Sequence, residues 1–306
     1  MMKRLALSAI TAAFLAAGCS APATAGRFDR IVAFGDSYAD DGNIYELFGA
    51  APPALYPRGR FSNGTNFVDT MGALLGARID NFALGGAVTG PGRNNRPAGF
   101  DQQYRAFLAG GGPAYYPRVS GEFSPSDLIV VSIGGNDARA YEKSFGPSPS
   151  PARVASAIAA APAAAARSAA NAAAGIDALV GAGARNILFV GGDVGRLPEI
   201  RGTAIAPIGS AFSNSYNAGV RASLAKLASR GVTVHYLDLD RLAERVEADP
   251  AAFGLISAGA CPSACIANPS LADKYLFYVD KLHLSSAGFA IVGREAVAQL
   301  QGRPDL

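Results

Sequence analysis

Short apolar runs alternate along the chain with longer stretches of helical spacing. Arg30–Phe34, Arg78–Ala83, Asp127–Ile133, Asn186–Val190 and Val232–Leu237 are nearly continuous in apolar or β-branched residues, and most stop at a glycine or acidic turn. Such runs suit strands buried on both faces of a parallel sheet. Between them the spacing predicts helices at Asn66–Leu75, at the alanine-rich Ala152–Ala182, at Ala211–Ser229 with Val220, Leu224 and Leu227 on one face, and at Ser286–Leu300 with Phe289, Val292, Ala296 and Leu300 aligned. Pro162 is expected to divide the alanine-rich stretch in two. The alternation predicts a three-layer α/β sandwich built on about five parallel strands. Residues 91–122 and 249–279, rich in glycine, proline and aromatics, read as long loops over the strand ends. Their Phe and Tyr side chains either line a substrate pocket or cover the sheet edge.

The first 25 residues do not fit this pattern. Lys3 and Arg4 precede an apolar run from Leu5 to Ala17 followed by small residues, the layout of an export signal too short to span a bilayer. Two processing sites compete. Leu15-Ala16-Ala17-Gly18-Cys19 resembles a bacterial lipobox, which would lipidate Cys19, whereas Ala23-Thr24-Ala25 is an A-x-A site that would release a soluble protein starting at Gly26. Ser20 after the cysteine does not favour retention at the inner membrane. The expectation is therefore an exported protein, either an outer-membrane lipoprotein or a periplasmic or secreted one, with residues 26–306 forming a single domain. No other apolar stretch is long enough for a transmembrane helix.

Composition narrows the classes. Half of the 306 residues are hydrophobic and 17% are charged, against disorder. Removing residues 1–25 takes away Lys3 and Arg4 and no acid, so the net charge of +3 falls to +1. The basic residues are dispersed, and nothing supports a nucleic-acid partner. Beyond Cys19, two cysteines remain, in Cys261-Pro262-Ser263-Ala264-Cys265. In an exported chain a local disulfide is the plain reading; zinc would need two further ligands, and the chain has only two histidines.

Those two histidines also limit the chemistry. Glycine turns at the carboxyl ends of the first three predicted strands gather Asp36, Ser37, Asp40, Asn43, Asn136 and Asp137 where an open parallel sheet binds its ligands. Ser37, in a tight strand-to-helix turn, is a candidate nucleophile, and a serine hydroxyl needs a base. His235 falls inside a strand pattern and reads as structural. His283, in Asp280-Lys281-Leu282-His283, has a carboxylate three residues away that can orient its ring. Asp36 and Asp40 read as acceptors that fix the loop, and Asp137 as structural. There is no G-x-S-x-G, so the nucleophile elbow of α/β-hydrolases is missing.

The serine lies in Phe34-Gly35-Asp36-Ser37-Tyr38-Ala39-Asp40-Asp41-Gly42-Asn43. With the glycine block Asn81-Phe82-Ala83-Leu84-Gly85-Gly86-Ala87, the block Gly134-Gly135-Asn136-Asp137 and the C-terminal Asp-x-x-His, the chain resembles the GDSL, or SGNH, family of serine esterases and lipases, with all four blocks in the family's order. Phe61-Ser62-Asn63-Gly64 and Gly192–Pro198 are smaller echoes of its plant-type and related bacterial branch. The resemblance implies a flavodoxin-like SGNH-hydrolase fold and a cofactor-free, metal-free serine hydrolase acting on small-molecule or lipid acyl esters. It implies Ser37 as nucleophile, His283 as base, Asp280 as its partner, and Ser37, Gly85 and Asn136 as oxyanion donors. Gly86 competes with Gly85, because the doubled glycine blurs the register. The chain departs from the family at Tyr38, where leucine gives the family its name, which bears on substrate class. It also departs at Leu284-Ser285, which replace a proline-threonine often found after the histidine. Phospholipase, lysophospholipase or acyltransferase activity on membrane lipids and carbohydrate deacetylation are alternatives within the enzyme class. An inactive binding module on the same scaffold is the alternative outside it.

Overall fold

The computed structural model describes residues 28–49, 54–92, 98–111 and 118–302. Cys19 and the two processing sites lie outside these residues. Five parallel strands, β1 (Arg30–Gly35), β2 (Arg78–Asn81), β3 (Asp127–Ser132), β4 (Asn186–Gly191) and β5 (Thr233–Asp238), form one sheet in the order β2-β1-β3-β4-β5. The helices are α1 (Asn43–Phe48), α2 (Phe67–Leu75), α3 (Phe100–Leu108), α4 (Gly135–Lys143), α5 (Pro151–Gly181), α6 (Ala206–Ala225), α7 (Leu239–Ala248), α8 (Ala264–Ala267), α9 (Pro269–Ala272) and α10 (Ser286–Leu300). A small parallel pair, β6 (Ser257–Ala260) and β7 (Tyr275–Phe277), precedes the last helix.

The strands alternate between two cores, as a two-residue period requires. Val32 and Phe34 of β1, Ile129 and Val131 of β3, and Ile187 and Phe189 of β4 face a core completed by α3, α5 and α6. Ile31 and Ala33, Leu128 and Val130, and Leu188 and Val190 face the opposite core, completed by α2, α7 and α10. The result is the expected three-layer sandwich. Strand order departs outward from β1 to β2 on one side and to β3 on the other, so the crevice between the ends of β1 and β3 is the topological switch point where such sheets bind ligands.

Some expectations need correction. Pro162 does not divide the alanine-rich segment; α5 runs unbroken through it. A proline removes one backbone donor, and here the flanking alanines propagate the helix well while Ala157, Ala161, Ala165, Ala169 and Ala172 bury a continuous stripe. The segment 91–122 is not all loop, because α3 lies inside it and buries Phe100, Tyr104 and Phe107 in the core. Those aromatics pack the sheet face rather than line a pocket. Likewise 249–279 carries β6, β7 and two short helices.

Candidate active site

Ser37 sits just past the end of β1, where the backbone is tightly determined. Gly35 has φ of +148°, and a Cβ there would approach the Ser132 carbonyl oxygen to 2.1 Å, so only glycine fits. The buried Gln103 amide clamps the same residue, accepting from Gly35 N–H and donating to its carbonyl, each at 2.8 Å. The Ala39 and Asp40 N–H groups both donate to the Asp36 carbonyl at 3.0 Å, which turns the chain sharply around Ser37. Asp40 then accepts from Gly42, Ile44 and Gly85 N–H at 2.8, 3.2 and 2.7 Å. Three asparagines finish the brace. Asn66 and Asn81 donate to the Ala39 carbonyl, and Asn43 donates to those of Asn81 and Ala83. Asp36 accepts from Tyr38 N–H at 3.1 Å. Burial, reinforced by the charges of Asp137 and Asp40 and opposed by that bond, pushes its carboxyl up to about 7.

The histidine arrives from the other end of the chain on a turn between β7 and α10. Lys281 takes the left-handed conformation, φ 63°, and the His283 carbonyl accepts from Tyr278 N–H at 2.7 Å. Asp280 Oδ1 accepts from the Leu282 and His283 N–H groups at 3.0 and 2.9 Å. Ser285 caps α10 by accepting from Gly288 N–H at 3.0 Å and donates to the Tyr275 carbonyl, so the non-family residue after Leu284 pins the turn to the helix. His283 is buried, with Nδ1 2.6 Å from Asp280 Oδ2 and Nε2 2.7 Å from Ser37 Oγ. Burial acts to raise the Asp280 pKa. The hydrogen bond and charge of His283 and the Tyr56 hydroxyl outweigh it and hold the carboxyl down at about 2. An ionised Asp280 is an acceptor only, so Nδ1 carries the proton and Nε2 accepts from the Ser37 hydroxyl. That arrangement can deprotonate Ser37 as it attacks a carbonyl carbon.

The glycine block corrects the expected register. The Gly85 N–H is committed to Asp40 Oδ2 at 2.7 Å, and Gly85 is buried against Phe61, where a Cβ would come within 2.3 Å of the ring. It braces the serine loop and does not face the site. Gly86 is exposed, has φ of +82°, and its N–H has no acceptor among the described residues. Asn136 lies at the start of α4, beside Ser37 in the same cavity, and uses one amide hydrogen to hold the Ala87 carbonyl at 2.9 Å. Its second hydrogen remains for a ligand. Asp137 accepts from Thr89 N–H and hydroxyl at 2.9 and 2.8 Å and from the Ser168 hydroxyl at 2.8 Å. It latches the glycine block to α4 and α5, the structural role expected of it. His235 lies on β5, away from this cluster, and burial lowers its pKa.

Three contributors lie outside the four main blocks, and of them only Phe61, in Phe61-Ser62-Asn63-Gly64, carried a sequence signal. Tyr56 donates to Asp280 Oδ2 at 2.6 Å, Phe61 covers the His283 ring with centroids 4.9 Å apart, and Gln103 grips Gly35 from α3. Each comes from a segment without the family's blocks or from its edge. Cys261 and Cys265 are joined as a disulfide beside β7. Among the described residues no group of three His, Cys, Asp or Glu side chains is placed to hold a metal, and no helix is long and apolar enough to cross a membrane.

The sequence profile of the GDSL-like lipase/acylhydrolase family matches residues 31–296. The chain is 28% identical over 239 residues to the phosphatidylcholine-sterol acyltransferase of Aeromonas hydrophila, covering 74% of this chain but only 63% of that protein's length. Among solved structures it is similar to an extracellular lipase from Streptomyces rimosus, at 19% identity over 68% of this chain and 80% of that one with a TM-score of 0.42. It is also similar to the native aryl esterase of M. smegmatis, at 15% identity over 90% and 99% with a TM-score of 0.44.

Proposed function

The chain belongs to the GDSL-like lipase/acylhydrolase family, and from that premise we propose that it is a serine hydrolase cleaving carboxylic esters through an acyl-enzyme. The observation that carries the proposal is His283 bridging Ser37 at 2.7 Å and Asp280 at 2.6 Å. Ser37 Oγ bonds to the ester carbonyl carbon while its proton passes to His283 Nε2. The tetrahedral oxyanion is held by the N–H groups of Ser37 and Gly86 and by the Asn136 amide. As the carbonyl re-forms, the alkoxide leaves with the proton from His283. Water repeats the sequence and releases the acid. Asp280 keeps the imidazole in the useful tautomer and offsets its charge.

A fluorophosphonate probe is expected to label the wild-type protein and not Ser37→Ala, with turnover of p-nitrophenyl acetate lost in parallel. Equal labelling of both proteins overturns the assignment.

The 28% identity to the Aeromonas acyltransferase favours a second reading, in which the acyl-enzyme is taken by a lipid alcohol rather than water. Vesicles of phosphatidylcholine and cholesterol separate the two. Cholesteryl ester as the main product supports transfer, and free fatty acid alone supports hydrolysis. We also propose that the segment 1–25 carries an export signal that ends before Cys19, the lipid attachment point, and that residues 26–306 act as one hydrolase domain.

A further inference from the structure

Ser37 and His283 are carried on two turns, residues 36–40 after β1 and residues 278–285 before α10. Among the described residues, two hydrogen bonds join these turns directly. One links Ser37 Oγ and His283 Nε2 at 2.7 Å. The other is donated by the Tyr38 hydroxyl to the Leu282 carbonyl at 2.9 Å. No backbone N–H of the described residues donates to that carbonyl. The Tyr38 ring is packed edge-on against Phe289 of α10, with centroids 5.4 Å apart, and lies 5.9 Å from the His283 ring. Burial, then the charges of Asp36 and Asp280, raise the Tyr38 pKa, so its hydroxyl stays protonated and donates. The leucine that names the family has no hydroxyl, so this bond is a property of this chain.

The two bonds do not last equally long through the reaction. Once Ser37 Oγ is bonded to the acyl carbon its hydroxyl proton is gone, and the first bond goes with it. We propose that Tyr38 is a positioning residue for deacylation, its hydroxyl holding the His283 turn against the nucleophile turn while Ser37 is acylated. The inference rests on the serine-hydrolase reading above and adds the step at which this tie is needed. In that step the water oxygen bonds to the acyl carbon while one water proton passes to His283 Nε2. The bond between the acyl carbon and Ser37 Oγ then breaks, and Oγ takes the proton back from His283. The imidazole must therefore keep its place beside the acyl carbon with no serine hydroxyl to hold it, and rate depends steeply on that placement. During acylation the serine hydroxyl supplies the tie itself, so the Tyr38 bond adds little there.

The test compares wild type with Tyr38→Phe, which keeps the ring and removes only the hydroxyl. Both are run at saturating p-nitrophenyl acetate, quenched in acid and read by mass spectrometry for the ratio of acetylated to free Ser37. At steady state that ratio equals the acylation rate constant divided by the deacylation rate constant. It is expected to rise about five-fold in Tyr38→Phe, the effect of one lost hydrogen bond, while kcat/KM, which reports acylation, stays within about two-fold of wild type. A Tyr38 that only stabilised the fold would lower the active fraction and leave the ratio where it was, so an unchanged or lower ratio overturns the proposal. Wild type that neither turns over nor acquires an acetyl group sinks the hydrolase reading instead, and the tie is then judged without chemistry. Ser37→Ala removes the serine bond as acylation does. With isotope-labelled histidine, NMR reads the ring signals of the chain's two imidazoles. The His283 signals are expected to be single and sharp in Ser37→Ala and doubled or broadened in the Ser37→Ala, Tyr38→Phe double variant; equally sharp signals in both overturn the proposal.

Discussion

The Tyr56 hydroxyl donates to Asp280 Oδ2 at 2.6 Å, the same oxygen that accepts from His283 Nδ1. Two donors on one oxygen and two backbone N–H groups on the other leave the carboxylate a single orientation. Tyr56 is buried and acts through Asp280, so its effect should fall on kcat and not on KM. Tyr56→Phe is expected to lower kcat about three- to ten-fold with KM unchanged. A hydrogen bond to a charged group is worth about 1.5–3 kcal/mol, part of which reaches the reaction. A second readout follows from acidity. Asp280 is held at about 2 against an ordinary 3.8, so it contributes stability above pH 3.8 that is lost as pH falls towards 2. Without the Tyr56 hydroxyl that carboxyl rises, and the acid-unfolding midpoint of Tyr56→Phe should shift to higher pH. A kcat unchanged together with an unmoved midpoint would remove Tyr56 from the machinery.

Asn136 presents its free amide hydrogen beside Ser37 while its other hydrogen holds Ala87. Asn136→Ala is expected to lower kcat by about 10²–10³ with little change in KM, because the donor acts mainly on the oxyanion. Steady-state kinetics on a short ester, with near-UV circular dichroism to show an intact fold, checks this. A loss confined to KM would assign Asn136 to ground-state binding instead.

Glu142 is fully buried on α4, and neither of its oxygens has a partner among the described residues. Burial pushes its carboxyl up to about 7, helped by Glu199 and Asp193 and opposed by Arg139 and Lys143. Its ordinary pKa is 4.5, so between 4.5 and 7 the folded protein holds a proton that the unfolded chain has released. Stability therefore falls as pH climbs through that window, and the full cost, at most about 3 kcal/mol, is present above pH 7. Glu142→Gln should raise the Tm at pH 8 and have little effect at pH 4.5. Equal Tm values for the two proteins at both pH values would contradict the buried, unpartnered carboxyl.

Cys19, read as a lipobox cysteine, makes a prediction in the producing bacterium. Wild-type protein is expected in the membrane fraction carrying labelled palmitate, and Cys19→Ala in the soluble fraction without it. Wild-type protein recovered soluble and starting at Gly26 would favour the A-x-A site.

The strands and the polar turns that end them were legible because each is a local pattern. β1, β3 and β4 end within one residue of the apolar runs that announce them, and α10 spans Ser286–Leu300 as its spacing predicts. α3 escaped because the nine residues carrying its core-facing Phe100, Tyr104 and Phe107 are flanked on both sides by glycines and prolines that mask a short helix. Pro162 misled because a single missing donor weighs little against a long alanine stripe buried on its neighbours.

By itself the sequence determined the layer architecture and the residue types gathered at the strand ends, since apolar period and glycine punctuation act over a few residues; the strand order that makes the crevice between β1 and β3 the switch point came from the tertiary structure. The tertiary structure alone decided which of the two glycine N–H groups is committed within the described residues. Gly85 and Gly86 are equivalent as letters, and only the approach of Asp40 from the serine loop consumes one N–H and leaves the other. It also decided that Tyr56 completes Asp280 and that aliphatic side chains from α7, β7 and α10 meet beside Ser37. Tyr56 and Asp280 alone are 224 residues apart in the chain. Their contacts exist only once the sheet has closed the distance, and no local pattern encodes them.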